Sequence, residues 1–398
     1  MGAEKYRVVV TGLAAVTNQG TSLDETWSAL RRAEDGPVPH KATFDVGQHL
    51  DRKLARRLDR SAQLAVAVGL DAWRHADLGA QGPSFYSPHA TSVLMSNAMP
   101  PLESLEQVHD NLAMVASGGK VELSRQVFPG RGMNNAGTTA VAMELGITGP
   151  VEIVSTACSG GSHAIVNAAR WVASGLVDVV LTGGYDAALG PVTDYIMLQS
   201  KVAAAECARP FDSERDGFFL TEGAAALVLE RRDKAIERGA RIYGEILGGW
   251  NNCDAFSAFQ PRPDGEIAER CVRTALSEAR LTPGDVAWIN AHGTGTRVND
   301  HVECEMFDRV FGVGAVPVTS LKGVLGHSGG AAGAVEAAVT IRALNEGIIP
   351  RTTNCRLVDP AITSDIVLSE RTSQGGPVLS TSFGLGGQNS ALLIGPPA

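Results

Sequence analysis

An α/β fold with deeply buried sheets is what this sequence predicts, and three observations predict it. Runs of β-branched residues alternate with alanine-rich segments of helical spacing along the chain. Several strand-like runs, VDVVLTGG from Val177 and VAWIN from Val286 among them, are largely apolar, the pattern of strands covered on both faces. The strand-and-helix rhythm that opens at Tyr6 starts again near Ala240. A duplicated α/β unit, with halves 1–240 and 241–398 and no flexible Pro/Ser linker between them, is the simplest account.

Taken in order, Tyr6 to Thr11 predicts a strand ending at Gly12, and Leu23 to Arg32 a helix that Thr21 or Ser22 caps. Arg52 to Ala72 predicts one continuous helix, basic at first (Arg52, Lys53, Arg56, Arg57, Arg60) and then apolar and buried. Thr91 to Ser96 is a short strand, Pro100 to Gly119 helical or loop-like, and Asn134 to Gly146 a helix of small residues. Val151 to Val154 predicts a buried strand that turns sharply into the alanine-rich segment ending near Ala169. A polar loop from Phe211 leads into a strand ending at Glu230. The second round comprises RIYGEILGGW, a helix from Glu266 to Ala279, VAWIN, a helix from Asp300 to Phe311, a strand from Val316 to Ser320, a glycine-rich turn into a small-residue helix, and two closing strands, Pro377 to Ser382 and Ser390 to Ile394.

The 398 residues are ample for a large core, and 44% hydrophobic with 19% charged residues describes a soluble globular protein. The start MGAEKYRVVV enters a strand-like run without the long apolar segment of a signal peptide. Six cysteines lie far apart with no CxxC spacing, so neither a disulfide framework nor a zinc site is indicated and a reducing cytoplasm is expected. A net charge of −9, with no basic stripe interleaved with aromatics, argues against nucleic acid as partner.

Chemistry concentrates at three places. Cys158 sits on the turn between a strand and a helix, where free backbone N–H groups and the positive end of the helix favour a thiolate, a suitable address for a nucleophile. A buried free cysteine is the plainer alternative from this pattern alone. His292, in AHGTGTRVND, and His327, in KGVLGHSGGAAG, each follow a strand end among glycines, a context that suits side chains turned into a cleft at the carboxyl edge of a sheet. One such histidine is commonly structural; two in matching contexts, with a cysteine elbow, weigh towards function.

Four separated blocks, VSTACSGGSHAI, RPFDSERDGFFLTEGAAALVLE, NAHGTGTRVND and SLKGVLGHSGGAAGAVEA, with STSFGLGGQNSALL closing the chain, resemble the elongating Cys-His-His β-ketoacyl-acyl-carrier-protein synthases of the thiolase-like superfamily. The resemblance runs from Tyr6 to Ile394 and implies the duplicated five-layer αβαβα architecture of that superfamily. It implies that Cys158 carries an acyl chain as a thioester and that His292 and His327 act on an incoming malonyl thioester. By the same resemblance Lys322 orders this site with the buried acid Glu336, and Thr294 and Thr296 bind the phosphopantetheine arm. Phe383 and Leu385 match substrate-binding and gating positions, and Leu385 and Cys158 supply oxyanion N–H groups. Lys53, Arg56 and Arg57 align with a patch that docks acidic acyl carrier protein; the bland reading of that run is a solvated helix face. No metal or redox cofactor is implied, and a dimer, with itself or with a ketosynthase-like chain-length factor, is expected.

The chain departs from the usual pattern at Leu385, where phenylalanine is common, at GQNS in place of GTN, at SNAMP (Ser96 to Pro100) and at GGYDAAL (Gly183 to Leu189). These departures bear on substrate length and partner choice. Three readings stay open: an elongating ketosynthase of a type II polyketide or polyene pathway, which the departures favour; the housekeeping fatty-acid enzyme; and a non-catalytic chain-length-determining subunit.

Overall fold

The computed structural model describes residues 6–79, 85–119, 128–187, 189–200 and 202–397; the Met-Gly start and Ala188 of the GGYDAAL run lie outside them. In chain order the strands are β1 (Val8–Thr17), β2 (Thr91–Ser96), β3 (Val151–Val154), β4 (Val179–Asp186), β5 (Gly223–Arg231), β6 (Gly244–Cys253), β7 (Trp288–Asn290), β8 (Pro317–Thr319), β9 (Ile348–Ile349), β10 (Asp365–Ile366), β11 (Arg371–Thr372), β12 (Val378–Gly384) and β13 (Gln388–Gly395). The helices are α1 (Leu23–Arg32), α2 (Arg52–Ala55), α3 (Arg60–His75), α4 (Leu102–Ala116), α5 (Phe128–Arg131), α6 (Ala136–Leu145), α7 (Gly160–Ala173), α8 (Pro191–Ser200), α9 (Arg232–Glu237), α10 (Glu266–Glu278), α11 (Arg297–Phe311), α12 (Lys322–Leu325) and α13 (Ala332–Glu346).

Duplication is written in the strand pairing. Among the described residues, eleven strands form one sheet in the order β10-β8-β7-β12-β13-β6-β1-β5-β4-β2-β3. From its centre outward, one side runs β1-β5-β4-β2-β3 and the other β6-β13-β12-β7-β8. On each side the first three strands pair antiparallel and the next two join in parallel. Among the described residues, the sheet is continuous across its centre through Val8 to Val10 of β1, paired with Gly244 to Ile246 of β6.

Helices complete five layers. α3 and α6 cover the outer face of the first side, α10 and α11 that of the second, while α7 and α13 lie between the two sides and touch strands of both. The small residues predicted for these middle helices have a steric reason: a Cβ on Gly161 would lie 2.6 Å from the Ala334 nitrogen, and one on Gly333 2.2 Å from Ser162 Oγ. Their apolar faces form the central core with Leu227, Leu229, Val378 and Leu392.

Several expectations need correction. The basic helix is not continuous. Asp51 caps α2 through Lys53 N–H (2.8 Å), and after a turn Asp59, tied by its own N–H to the Gly130 carbonyl (3.2 Å), caps α3 through Ala62 N–H (2.7 Å). Arg60 also leaves the exposed basic run, because its guanidinium pairs with the buried Glu222 (2.7 Å). β1 does not stop at Gly12: a register shift between Val10 and Gly12 absorbs the irregularity and pairing continues to Thr17. β3 is not buried. It is the edge strand beyond β2, so Val151 and Glu152 are exposed and Ile153 and Val154 half-buried. α11 begins at Arg297, three residues before the expected Asp300, and Ser22 rather than Thr21 caps α1. Among the described residues no helix is long and apolar enough to cross a membrane.

Candidate active site

Cys158 stands where β3 gives way to α7, on a single 3-10 turn, Ala157–Ser159. Ala157 enters that turn at φ +49°, a left-handed conformation that L-residues adopt at a cost, and Ser159 Oγ closes the turn on the Thr156 carbonyl (2.8 Å). Cys158 as a residue is half-buried, with its thiol on the wall of a cavity of about 410 Å³. The expected thiolate is not the resting form. Burial pushes the thiol up to about 11, against the opposing pull of the Lys322 charge and of the Leu385 and Cys158 backbone N–H groups. Both amides are thus directed at the sulfur.

His292 follows β7, and its backbone N–H donates to Glu303 Oε1 (2.8 Å) and Thr381 Oγ1 (3.3 Å). His327 is fixed by two backbone bonds, its N–H to the Phe219 carbonyl (2.7 Å) and its carbonyl from Thr221 N–H (3.1 Å). The two rings meet edge to face with centroids 5.5 Å apart, and both line the cavity that holds Cys158. Nδ1 of His292 faces Lys322 Nζ (3.4 Å) and Nδ1 of His327 accepts from Gly329 N–H (3.2 Å). These donors assign the ring proton to Nε2 in each case. Burial, followed by the Lys322 charge, holds His292 well below the usual imidazole range and His327 down to about 3. Two neutral N–H donors therefore converge on one space.

Lys322 and Glu336 stand behind them. Lys322 is fully buried at the start of α12; its Nζ donates to the Glu336 carboxylate and to the His292 carbonyl (2.6 Å). Thr294 and Thr296 line the cavity with their hydroxyls 3.0 Å apart. Phe383 packs edge-on to His292 at 5.8 Å, and Leu385, half-exposed on the turn after β12, borders the same opening. Lys53, Arg56 and Arg57 are exposed around α2 and do not line the cavity.

Residue-by-residue reading missed two buried acids and an aromatic. Glu303 also accepts from Gly293 N–H (2.8 Å) and Thr381 Oγ1 (2.7 Å), so it grips the backbone that carries His292; burial pushes its carboxyl up to about 7. Asp300 accepts from Gly295 N–H (3.1 Å) and Phe211 N–H (2.8 Å). Their spacing of three on one helix face, directly after a glycine-rich loop with unpaired amides, was the available signal. Phe218 sits edge-on to His327 at 5.7 Å.

The chain matches the family models for the β-ketoacyl synthase N-terminal domain over residues 39–235 and the C-terminal domain over residues 243–356. The chain belongs to the β-ketoacyl synthase family. A 3-oxoacyl-[acyl-carrier-protein] synthase 2 of Synechocystis sp. is 35% identical, with 98% of each chain covered. The tetracenomycin polyketide synthase ketoacyl synthase alpha subunit of Streptomyces glaucescens is 33% identical over 99% of this β-ketoacyl synthase and 98% of its own length. Among solved structures, the ishigamide ketosynthase/chain length factor superimposes with a TM-score of 0.89 at 28% identity, covering 99% of this chain and 100% of that one. A type II polyketide synthase acyl-carrier protein in complex with its ketosynthase bound to the hexaketide gives a TM-score of 0.87 at 25% identity, covering 98% and 100%. The thiolase-like αβαβα architecture and the acyltransferase class, forming a carbon–carbon bond, follow for this β-ketoacyl synthase from these likenesses.

Proposed function

We propose that this enzyme carries out a decarboxylative Claisen condensation between an acyl chain held on Cys158 and malonyl-acyl carrier protein, in a type II polyketide or polyene pathway. The observation that carries the reading is one cavity walled by the Cys158 thiol and by two neutral imidazoles whose Nδ1 atoms are held from behind, leaving the proton on Nε2. Cys158 Sγ attacks the acyl thioester, the thiol proton passes to the departing carrier thiolate, and an acyl-cysteine remains. The malonyl C–C bond then breaks, carbon dioxide leaves with its carboxylate oxygens, and the electron pair stays as an enolate. His292 and His327 hydrogen-bond that enolate oxygen. The carbanion attacks the acyl-cysteine carbonyl, whose oxyanion the Cys158 and Leu385 N–H groups receive. Collapse expels the Cys158 thiolate, which takes a proton from solvent. No redox equivalent is consumed, and the two imidazoles supply the electrophilic assistance a metal would otherwise give.

Thr294 and Thr296 are assigned to the phosphopantetheine arm and Lys53, Arg56 and Arg57 to docking of the acidic carrier, steering encounter more than affinity. The halves 1–240 and 241–398 then contribute the nucleophile and the imidazoles respectively. The exposed β3 edge supports association with a second ketosynthase-like chain, identical or a chain-length factor, in the cytoplasm. The likeness to 3-oxoacyl-[acyl-carrier-protein] synthase 2 keeps the housekeeping fatty-acid reading as second. Retention of Cys158, His292 and His327 weighs against a non-catalytic subunit. The test is mass spectrometry after incubation with acyl-carrier protein: an acyl adduct on Cys158, absent in Cys158→Ala, is expected, and an unmodified Cys158 overturns the reading. Co-purification with a second ketosynthase-like chain separates the polyketide pathway from a self-sufficient fatty-acid enzyme.

A further inference from the structure

Arg215 does not line the cavity, yet its side chain is almost wholly buried and half of its fork is spent on the stretch that carries Thr296. Nε donates to the Thr296 carbonyl (3.3 Å) and Nη2 to the Arg297 carbonyl (3.1 Å). Nη1 donates to the Asp212 carbonyl (2.9 Å) and to Asp359 Oδ2 (2.6 Å), which anchors the charge. From the other side of the loop, Asp300 holds Gly295 N–H and stands 4.0 Å from Arg215 Nε. The loop has no slack. Gly295 sits at φ +81°, and a Cβ there would lie 2.9 Å from both Arg209 N and the Gly217 carbonyl, so the strand of chain that carries Arg215 is its direct support.

Thr296 occupies the position just before the first turn of α11, where a threonine hydroxyl ordinarily accepts a hydrogen bond from a helix N–H. Here it caps nothing and lies beside the Thr294 hydroxyl in the cavity. The Thr296 carbonyl, by contrast, accepts both the Asp300 N–H (3.2 Å) and the Arg215 Nε–H. Its backbone is thereby clamped in the orientation that leaves the hydroxyl for a ligand.

We propose that Arg215 is a positioning residue for the carrier-borne arm of the substrate, acting through the two threonine hydroxyls without touching the reacting atoms. The proposal rests on the reading of Thr294 and Thr296 as arm-binding groups. It separates two substrate forms: thioesters presented on the full phosphopantetheine of a carrier protein depend on the clamp, and N-acetylcysteamine thioesters, which lack the outer part of that arm, do not.

Arg215→Lys keeps the charge but cannot span three carbonyls and Asp359 with one ammonium. With the full-length enzyme, KM for malonyl-carrier protein is expected to rise by about ten- to a hundredfold, the size expected for lost charge-assisted hydrogen bonds, with kcat changed by less than about twofold. KM for the malonyl N-acetylcysteamine thioester is expected to stay within about twofold. In a double-mutant cycle, Arg215→Lys should add little once Thr296→Val is in place. An equal rise in KM for both thioesters, a fall in kcat with KM unchanged, or full additivity with Thr296→Val overturns the proposal. Should Arg215→Lys not fold, Asp359→Asn loosens the same anchor at a half-buried position, and the same selective rise, smaller in size, is required there. If Thr296→Val itself leaves KM for the carrier substrate unchanged, the arm-binding reading has failed; if it raises KM and the Arg215 and Asp359 variants do not, the positioning role has.

Discussion

Removing one imidazole is expected to uncouple the two halves of the reaction. His292→Ala and His327→Ala each delete one neutral N–H donor from the site of enolate formation, and loss of a single oxyanion donor costs about 3 kcal/mol, roughly a hundred- to a thousandfold in rate. Acylation of Cys158 should survive. Its sulfur keeps the N–H groups of Leu385 and its own residue, and Lys322 keeps Glu336 and the backbone carbonyl at position 292 when only the ring is lost. The assay is paired: release of labelled carbon dioxide from malonyl-carrier protein in single turnover, and mass-spectrometric yield of the acyl-cysteine. Because both rings are already neutral, with His327 held down to about 3, neither imidazole should add a step to carbon dioxide release between about pH 5.5 and 8; a step near 7 that Glu303→Gln removes belongs to Glu303. A titration near the ordinary imidazole value that persists in Glu303→Gln, or equal losses in both half-reactions, would refute the reasoning.

Four further outcomes are expected. Alkylation of Cys158 by iodoacetamide should climb about tenfold per pH unit without a plateau until about 11, since the thiol is the resting form; a plateau near pH 8 would contradict this. Glu303→Gln should place an amide NH₂ against a site filled by donors, destabilising the fold by about 1–3 kcal/mol and slowing carbon dioxide release more than acylation. It should also change the pH profile: native Glu303 keeps its proton up to about 7 while the unfolded chain releases it near 4.5, so this group's contribution is present below 4.5 and lost as pH rises to 7. His163 runs the opposite way, its contribution present above 6.5 and lost as pH falls towards about 4; thermal melts across pH 4 to 8 would check both signs. Charge reversal at Arg56 and Arg57 should weaken the apparent affinity for an acidic carrier protein, more at low salt, while sparing a small acyl thioester; unchanged carrier kinetics would remove these residues from docking.

Cys158, His292 and His327 were legible because each stands at a strand end beside glycines, a signal contained in a dozen consecutive residues. Lys322 and Glu336 came from family likeness, and their contact shows why spacing alone was silent: the ion pair closes between α12 and α13 in the dark interior behind His292. Glu303 and Asp300 closely follow the glycine-rich loop whose amides they hold, a local signal that went unread, whereas Arg215 reaches the Thr296 and Arg297 carbonyls from across the fold, a relation that exists only after folding. The thiolate expectation failed on magnitude. A helix terminus supplies about 0.3–1 kcal/mol, less than one pH unit, which does not offset the burial that carries the thiol to about 11. The buried reading of β3 failed because apolar residues on an edge look the same in sequence as those within a sheet, and the unbroken basic helix failed because Asp59 starts a new one.

The two middle helices set a limit on how this molecule can come apart. α7 is rooted in the first repeat and α13 in the second, yet each has its flanks pressed on strands of both, with glycine at the crossing so that no side chain holds them off. Prising the repeats apart would wet a greasy seam along its whole length. Melting is therefore a joint event, and damage to either repeat silences the chemistry of the other.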